Sequence, residues 1–182
     1  AVVGTVAARS PEAMRRAVDR ARVAQADWER RPAAERVAAI ERFAGLVREH
    51  RESLLDLVQL ESGKTRYDAL EECVDVEFTA GHYADRTEEY LTPEAHPGVV
   101  PGLTQVREHR DPHGVVGIVS PWNYPLTLAV SDALPALLAG NAVVLKPAEQ
   151  TPFTALYVAE LLEEAGVPAD AFQVVPGRGE TL

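Results

Sequence analysis

Two short polar segments in the second half of the chain hold the side chains best suited to chemistry. Each follows an apolar run typical of a buried strand, Val115–Val119 for the first and Ala142–Leu145 for the second. Because ligands of open parallel sheets bind at the carboxyl ends of the strands, both segments are candidate binding sites. Their residues are Ser120, Pro121, Trp122 and Asn123 after the first run, and Lys146, Pro147, Ala148 and Glu149 after the second.

Asn123 and Trp122 each have two interpretations. A neutral amide in a strand-to-helix turn can donate a hydrogen bond to a developing oxyanion without bringing a charge of its own. The alternative for Asn123 is to cap the helix that follows, since Asn is a favoured N-cap residue. Trp122 could pack against a ligand, or it could fill the core.

Lys146 and Glu149 are suited to binding a nucleotide. The ammonium of Lys146 could reach ribose hydroxyls or a phosphate. The carboxylate of Glu149 could accept hydrogen bonds from two vicinal hydroxyls, as an acidic residue does on a nucleotide ribose. The alternatives are a lysine that extends from a strand end into solvent and a solvent-facing glutamate. Gly177 and Gly179 are a weak signal, because a turn with positive φ explains them equally well.

Cys73 is the single cysteine of the chain, and its surroundings argue against a catalytic nucleophile. Its sequence neighbours include Glu71, Glu72 and Asp75, and acidic groups disfavour the thiolate. It also lies near the apolar stripe of a predicted helix, so we expect a structural cysteine. Thr151 is predicted to cap a helix and to have no other role.

Composition argues against several classes of protein. The 182 residues carry 28 acidic and 18 basic side chains, a net charge of -10 that repels the backbone of nucleic acids. No apolar run approaches the roughly 18 residues of a membrane helix, and no signal segment is recognised. One cysteine rules out an internal disulfide, and the five histidines lack metal-ligand spacing. We therefore expect a cytoplasmic protein with no nucleic-acid or membrane partner.

The first half of the chain is predicted to be helical. Ser10-Pro11 indicates a capped helix start. A second helix is expected from Pro32 to Gly63, with one continuous apolar stripe. A third is expected over residues 65–90, with an apolar face formed by Leu70, Val74 and Phe78.

The second half is predicted to form a parallel sheet. Residues 92–102 are expected to be a loop and Leu103–His109 an exposed strand. The runs Val115–Val119 and Ala142–Leu145 predict strands covered on both faces, and Phe172–Val175 a third strand. Between them, a buried helical segment split at Pro135 and a helix starting at Thr151-Pro152 are expected.

These elements predict an α/β fold: N-terminal helices followed by an incomplete Rossmann-like parallel sheet of βαβαβ order. The third strand would have no neighbour on its far side. Because an unpaired strand edge is unfavourable, the pattern predicts that the chain is truncated at Leu182.

Several segments resemble the aldehyde dehydrogenase superfamily, and the resemblance covers essentially the whole chain in order. Residues 118–132 are most similar to bacterial succinate-semialdehyde dehydrogenases. The segments that carry the resemblance are Ala26–Trp28, Glu35-Arg36, Glu61–Lys64, Pro121–Pro125, Leu137–Pro147, Glu149–Pro152 and Val174–Gly179.

The resemblance implies NAD(P)-dependent oxidation of an aldehyde, here succinate semialdehyde, to a carboxylic acid. Asn123 would hold the oxyanion of a thiohemiacetal together with a backbone N–H. Lys146 and Glu149 would bind the adenosine ribose, and Glu149 would favour NAD over NADP because a carboxylate repels a 2′-phosphate. The other cofactor-binding residues would be Ser120, Pro121 and Trp122 on the nicotinamide side, with Pro147, Ala148 and Gly179.

The resemblance also divides the chain into parts. Residues 1–98 would be the helical part of the cofactor-binding domain, 99–113 a loop with an oligomerisation-type strand, and 114–182 a partial NAD(P)-binding unit. The family's cysteine nucleophile and glutamate base come after the point where this sequence stops. The chain alone is therefore expected to be inactive, and the full-length protein is expected to be a homo-oligomer that binds a small-molecule aldehyde.

Two other hypotheses remain open. The protein could be a dehydrogenase for another aldehyde, such as glutamate semialdehyde or an aliphatic aldehyde. It could also be a truncated, non-catalytic relic or binding protein. A reading frame that continues past Leu182 with a cysteine and a glutamate in family context would favour the enzyme, and a genuine stop would favour the non-catalytic protein.

Overall fold

The computed structural model describes residues 2–100 and 102–181, so predictions that fall on Ala1, Pro101 and Leu182 lie outside the described residues. Four helices come first, then an antiparallel ribbon, then alternating strands and helices. The helices are α1 (Pro11–Glu29), α2 (Ala33–Glu49), α3 (Arg51–Ser62), α4 (Arg66–Leu91), α5 (Thr127–Val130), α6 (Ala133–Leu138) and α7 (Pro152–Glu164). The strands are β1 (Glu94–Pro97), β2 (Gln105–Glu108), β3 (Val115–Val119), β4 (Ala142–Lys146) and β5 (Phe172–Val174).

The predicted parallel sheet is confirmed. Its strand order is β3-β4-β5, and both pairings are parallel, with Val115 opposite Ala142 and Val143 opposite Phe172. The central strand β4 is buried from Ala142 to Leu145. β3 differs from the expectation, because Val119 is 77% exposed and only one face of this strand is covered by the described residues.

The helical half packs onto this sheet through α1. Helix α1 starts as predicted: the Ser10 hydroxyl accepts a hydrogen bond from the Ala13 N–H at 3.3 Å, and proline follows the cap. Trp28 near its end is fully buried, and its indole N–H donates to the Leu137 carbonyl at 2.8 Å. One apolar core therefore runs through both halves of the chain.

The single helix predicted from Pro32 to Gly63 is wrong, because the chain bends at His50 and forms α2 and α3. His50 has φ -90° and ψ 13°, and its Nδ1 lies 2.7 Å from the Tyr157 hydroxyl on α7. The bend allows both α2 and α3 to pack against α7. Gly63 ends α3 with φ 74°, as predicted for a glycine after a helix.

The buried face of α4 is not the predicted one. Leu70 packs against the core as predicted, but Val74 is 37% exposed and Phe78 is 73% exposed, whereas the neighbouring stripe is buried. That stripe holds small residues, which let α2 approach α4 closely. Its apolar members are Ala69, Cys73, Val76, Ala80 and Ala84.

Two further boundaries differ from the predictions. Residues 94–97, expected in a loop, form β1 and pair with the predicted exposed strand β2, His96 lying opposite Val106. The helical break falls at Ser131-Asp132, before α6, and not at Pro135. Pro135 lies in the first turn of α6, where a missing N–H removes no intrahelical hydrogen bond.

None of the described helices combines the length and apolarity needed to cross a membrane.

Candidate functional site

The two predicted polar segments lie side by side at the carboxyl edge of the sheet. The backbone N–H of Ser120, just after β3, donates to the carbonyl of Lys146, the last residue of β4, at 3.1 Å. Ser120 itself is buried at 4% exposure, while the three residues after it are exposed. The sheet thus holds the base of the first segment and presents the rest of it to a ligand.

Asn123 is exposed in the loop between β3 and α5, and it does not cap that helix. The N-cap of α5 is Leu126, three residues later, and no side chain of the loop caps it. Its first N–H groups donate instead to Glu72. The capping alternative is therefore wrong.

Trp122 is 56% exposed, so the alternative that it fills the core is also wrong. Pro121 beside it is exposed as well. A large aromatic ring on this edge of the sheet provides a flat apolar surface that a ligand can contact.

A buried ion pair that the sequence interpretation did not identify lies beneath this loop. The side chain of Glu72 on α4 is fully buried. One of its carboxylate oxygens accepts a hydrogen bond from the Nζ of Lys64 at 2.6 Å. Its second oxygen accepts from the N–H groups of Leu126 and Thr127 at 2.8 and 3.0 Å. The ammonium of Lys64 also lies 3.6 Å from the centre of the Tyr124 ring. The sequence holds two signals for this pair: Glu72 directly precedes Cys73, and Lys64 ends the segment Glu61–Lys64.

A second carboxylate fastens the helix that follows β4. Both oxygens of Glu61 accept hydrogen bonds at the start of α7, from the N–H of Phe153 at 2.6 Å and that of Thr154 at 2.7 Å. The predicted cap Thr151 makes no such bond, and its buried hydroxyl has no partner among the described residues. Thr151 is the N-cap residue of α7 as predicted, but Glu61 on α3 and not the Thr151 hydroxyl accepts the hydrogen bonds of the first N–H groups.

Lys146, Glu149 and Gly179 lie at the same edge. The Nζ of Lys146 donates to the Pro147 carbonyl at 2.9 Å. One carboxylate oxygen of the exposed Glu149 accepts from the Gly179 N–H at 3.0 Å, so two predicted cofactor residues are in direct contact. The φ of Gly179 is not in the left-handed region, so a positive-φ turn does not explain this glycine.

Glu149 lines a cleft of about 180 Å³. The N-terminal segment forms one wall, since the Arg9 N–H donates to the Pro176 carbonyl at 2.8 Å. The lining combines the carboxylate with apolar and glycine surface: Val6, Ala8, Pro152, Pro176 and Gly177, together with Arg178. A carboxylate beside apolar walls suits a ribose joined to a flat base.

A second, larger cleft of about 530 Å³ lies between α4 and α5, beside Tyr124. Apolar side chains form most of its wall, and they include the unexpectedly exposed face of α4. The lining residues are Glu71, Glu72, Val74, Asp75, Phe78, Tyr124, Thr127 and Leu128, and none of them carries a positive charge. The apolar spacing of Val74 and Phe78 predicts a core face, and their exposure instead forms one wall of this cleft.

Cys73 is fully buried, and burial raises the pKa of its thiol to about 11. A protonated, enclosed thiol is not a nucleophile near neutral pH. The structure therefore agrees with the prediction of a structural cysteine.

Among residues 2–100 and 102–181, no group of three or more His, Cys, Asp or Glu side chains could hold a metal ion.

Comparison with known proteins gives one consistent family. The model of the aldehyde dehydrogenase family matches residues 1–182. A Mycolicibacterium smegmatis protein with the provisional name succinate-semialdehyde dehydrogenase, NADP(+), is 48% identical over 178 residues, which cover 98% of this chain and 34% of that protein. A vanillin dehydrogenase of Corynebacterium glutamicum is 41% identical over 170 residues, 91% of this chain and 34% of that protein.

Solved structures agree with the sequence matches. The crystal structure of an NAD-dependent benzaldehyde dehydrogenase from Corynebacterium glutamicum superposes with a TM-score of 0.92 at 39% identity. That match covers 100% of this chain and 40% of the other. The chain thus spans about a third of the length of the curated relatives named here.

Proposed function

Because the chain belongs to the aldehyde dehydrogenase family, we propose that the complete protein oxidises an aldehyde to a carboxylic acid with a nicotinamide cofactor. One observation supports this proposal above the others. The hydrogen bond from the Ser120 N–H to the Lys146 carbonyl brings the loop of Asn123 and the segment of Glu149 to one edge of the parallel sheet. The loop that would supply a polarising amide and the segment that would bind ribose thus lie at the same edge of the sheet.

The role proposed for Asn123 is electrostatic. Its side-chain N–H would donate to the aldehyde oxygen as negative charge develops there. A neutral donor held in place by the protein stabilises that charge without the cost of reorienting water. The prolines on both sides of the loop, Pro121 and Pro125, restrict its backbone and thereby help to keep the amide in position.

The cofactor, when bound, supplies the acceptor for the hydride that leaves the substrate. Several residues of this chain fit its parts. Glu149 has one carboxylate oxygen engaged by Gly179 and a second oxygen available for ribose hydroxyls, and Trp122 offers an aromatic face. Lys146 is half-buried at the end of β4 and brings a positive charge.

NAD is the cofactor we propose for this chain. The hydrogen bond from Gly179 holds the Glu149 carboxylate at the edge of the cleft, where it would repel a 2′-phosphate. The names of relatives support both choices, since one carries NADP(+) and another is NAD-dependent.

Succinate semialdehyde is the first substrate candidate, because the similarity to proteins of that name is high. The larger cleft favours a second candidate, a neutral aromatic aldehyde. Its wall is apolar at Phe78, Tyr124 and Leu128 and acidic at Glu71 and Asp75. An aromatic ring gains from the apolar surface, whereas a substrate carboxylate near those acids is repelled.

The test is a steady-state assay of the complete enzyme with succinate semialdehyde, benzaldehyde and vanillin, each with NAD+ and NADP+. Formation of the reduced nicotinamide gives kcat/KM for all six combinations. Turnover with any aldehyde supports the proposed reaction, and the substrate with the highest kcat/KM decides between the two candidates. Absence of cofactor reduction with all three aldehydes and with aliphatic aldehydes would contradict the proposal.

The exposed ribbon of β1 and β2 is where we propose that copies of the protein associate. All four residues of β2 are exposed, and its central Val106 is 54% exposed. A short exposed strand can extend the sheet of a neighbouring molecule. Light scattering of the wild type and of Val106→Pro tests this: the variant should form smaller oligomers.

A further inference from the structure

We propose that Glu72, together with Lys64, is a positioning residue that holds the Asn123 loop in its catalytic geometry. The inference rests on the proposed function, because it takes Asn123 to be the donor to the oxyanion. It goes further because it assigns the position of the Asn123 amide to an ion pair elsewhere in the fold. Glu72 lies on α4, and Lys64 lies in the turn before that helix.

The contacts of the pair converge on the residues that follow Asn123. Glu72 accepts the N–H groups of Leu126 and Thr127 at 2.8 and 3.0 Å, and Lys64 lies 3.6 Å from the Tyr124 ring. Three of the four residues after Asn123 are thus in contact with one ion pair. On the other side of Asn123, the Ser120 N–H donates a hydrogen bond to the Lys146 carbonyl. The exposed amide is therefore held at both ends of a short loop.

The pair is placed where small displacements are resisted. The side chain of Glu72 is fully buried and that of Lys64 is 15% exposed. A buried carboxylate needs every one of its partners, because an unpaired oxygen away from water is costly. Glu72 lies among the buried residues of α4, and this helix packs against α2. This arrangement links the loop to the rigid part of the molecule.

The alternative is that the pair stabilises the fold and has no particular relation to Asn123. Glu77 provides a matched control, since it is a second glutamate of α4 with an ion pair. Its oxygens lie 2.7 Å from Arg48 and 2.8 Å from Arg51, and its side chain is 15% exposed. The contacts of Glu77 are with α2 and α3 and not with the loop. Glu77→Gln therefore removes a charge from the same helix without loosening residues 124–127.

The experiment is a double-mutant cycle on the complete enzyme at saturating cofactor and aldehyde. Asn123→Ala and Glu72→Gln are made singly and together, with Glu77→Gln as control, and thermal unfolding is recorded for each. Glu72→Gln places an amide NH2 against the Lys64 ammonium or against the two backbone N–H groups. We expect kcat to fall by between about 10- and 100-fold, as for a displacement of about 1 Å at a catalytic group. Cofactor Kd should change less than threefold.

Coupling decides between the two roles. If Glu72 acts through Asn123, the double variant is within about threefold of Asn123→Ala alone, because coupled sites are not additive. The positioning role would be overturned if the kcat losses of Asn123→Ala and Glu72→Gln multiply in the double variant. It would also be overturned if Glu77→Gln lowers kcat as much as Glu72→Gln does. If Glu72→Gln does not fold, Lys64→Met replaces it in the cycle with the same expectations. If neither variant folds, the pair is needed for the fold itself and the proposal is overturned.

Failure of this inference is distinguishable from failure of the proposed function. Turnover of Asn123→Ala at the wild-type level would remove Asn123 from the mechanism and the positioning role with it. A large loss in Asn123→Ala together with multiplying losses would leave the oxyanion role intact and overturn only the role of Glu72.

Discussion

Asn123 combines exposure with a fixed backbone, which is what a donor to a transient oxyanion requires. In the complete enzyme, Asn123→Ala should lower kcat by about 10²–10³-fold, the usual cost of losing one oxyanion donor. Cofactor Kd should change little, because Lys146 and Glu149 remain in place. Steady-state kinetics and a cofactor titration measure the two effects, and a variant that loses affinity while keeping kcat would contradict the assigned role.

Glu149 should set the choice between NAD and NADP. Glu149→Ser removes a repulsion of about 1–4 kcal/mol between charges about 4 Å apart, so the ratio of kcat/KM for NAD to that for NADP should fall at least about fivefold. The neighbouring exposed Gln150 serves as a control, and Gln150→Ser should leave the ratio unchanged. An unaltered ratio in Glu149→Ser would contradict a ribose-binding role.

Cys73 should make the fold less stable at alkaline pH. Burial raises the pKa of its thiol from 9.0 to about 11, so the unfolded state releases this proton first as the pH rises. The stabilisation is complete below pH 9 and is lost as the pH increases through about 11. Denaturant unfolding from pH 8 to 11 should show a smaller alkaline loss for Cys73→Ala than for the wild type. Equal slopes would show that the thiol does not titrate differently on folding.

Two carboxylates organise the site at the scale of its elements. Glu61 on α3 caps α7, which follows β4, and Glu72 on α4 caps α5, which follows β3. The two glutamates flank the turn at Gly63 and Lys64, so one helix–turn–helix segment holds both strand-end loops. A carboxylate at a helix N-terminus satisfies free N–H groups and interacts favourably with the helix dipole.

Removal of the Glu61 cap should loosen α7 and the cofactor segment before it. Glu61→Ala deletes the acceptor of the Phe153 and Thr154 N–H groups, and we expect a loss of about 1–2 kcal/mol in the free energy of unfolding. Cofactor Kd should rise, since Glu149 lies just before this helix. Chemical denaturation and cofactor titration are the measurements, with Glu160→Ala on the exposed face of α7 as the matched control. If Glu160→Ala changed the free energy of unfolding and the cofactor Kd as much as Glu61→Ala, the capping role of Glu61 would be contradicted.

At the scale of the whole molecule, residues 1–182 expressed alone should self-associate. Val119 and Phe78 are 77% and 73% exposed, and the outer edges of β3 and β5 have no strand partner among the described residues. Unpaired strand edges and exposed apolar groups promote association, which a net charge of -10 only moderates. Light scattering should show oligomers, and Val119→Lys should shift them toward monomers. NAD titration should show weak binding. A monodisperse, cooperatively melting wild-type monomer would contradict this expectation.

Local patterns in the sequence were sufficient for much of the fold. The apolar runs before Ser120 and Lys146 predicted two neighbouring parallel strands, and the polar residues after them were recognised as candidate site residues. The strand predictions are confirmed, because a buried strand needs a continuous apolar run. The site residues stay a prediction, which rests on parallel strands ending at one edge of a sheet. The capped start of α1 and the glycine end of α3 were equally local, since caps depend on adjacent residues.

Tertiary structure alone decided the features that depend on distant partners. The bend at His50 follows its contact with Tyr157 on α7, and the buried face of α4 follows the close approach of α2. The capping of α5 and α7 by Glu72 and Glu61 could not be predicted, because each carboxylate lies more than fifty residues from the N–H groups it accepts. A buried charge is stable only with its partners, and those partners are brought to it only by the folded chain.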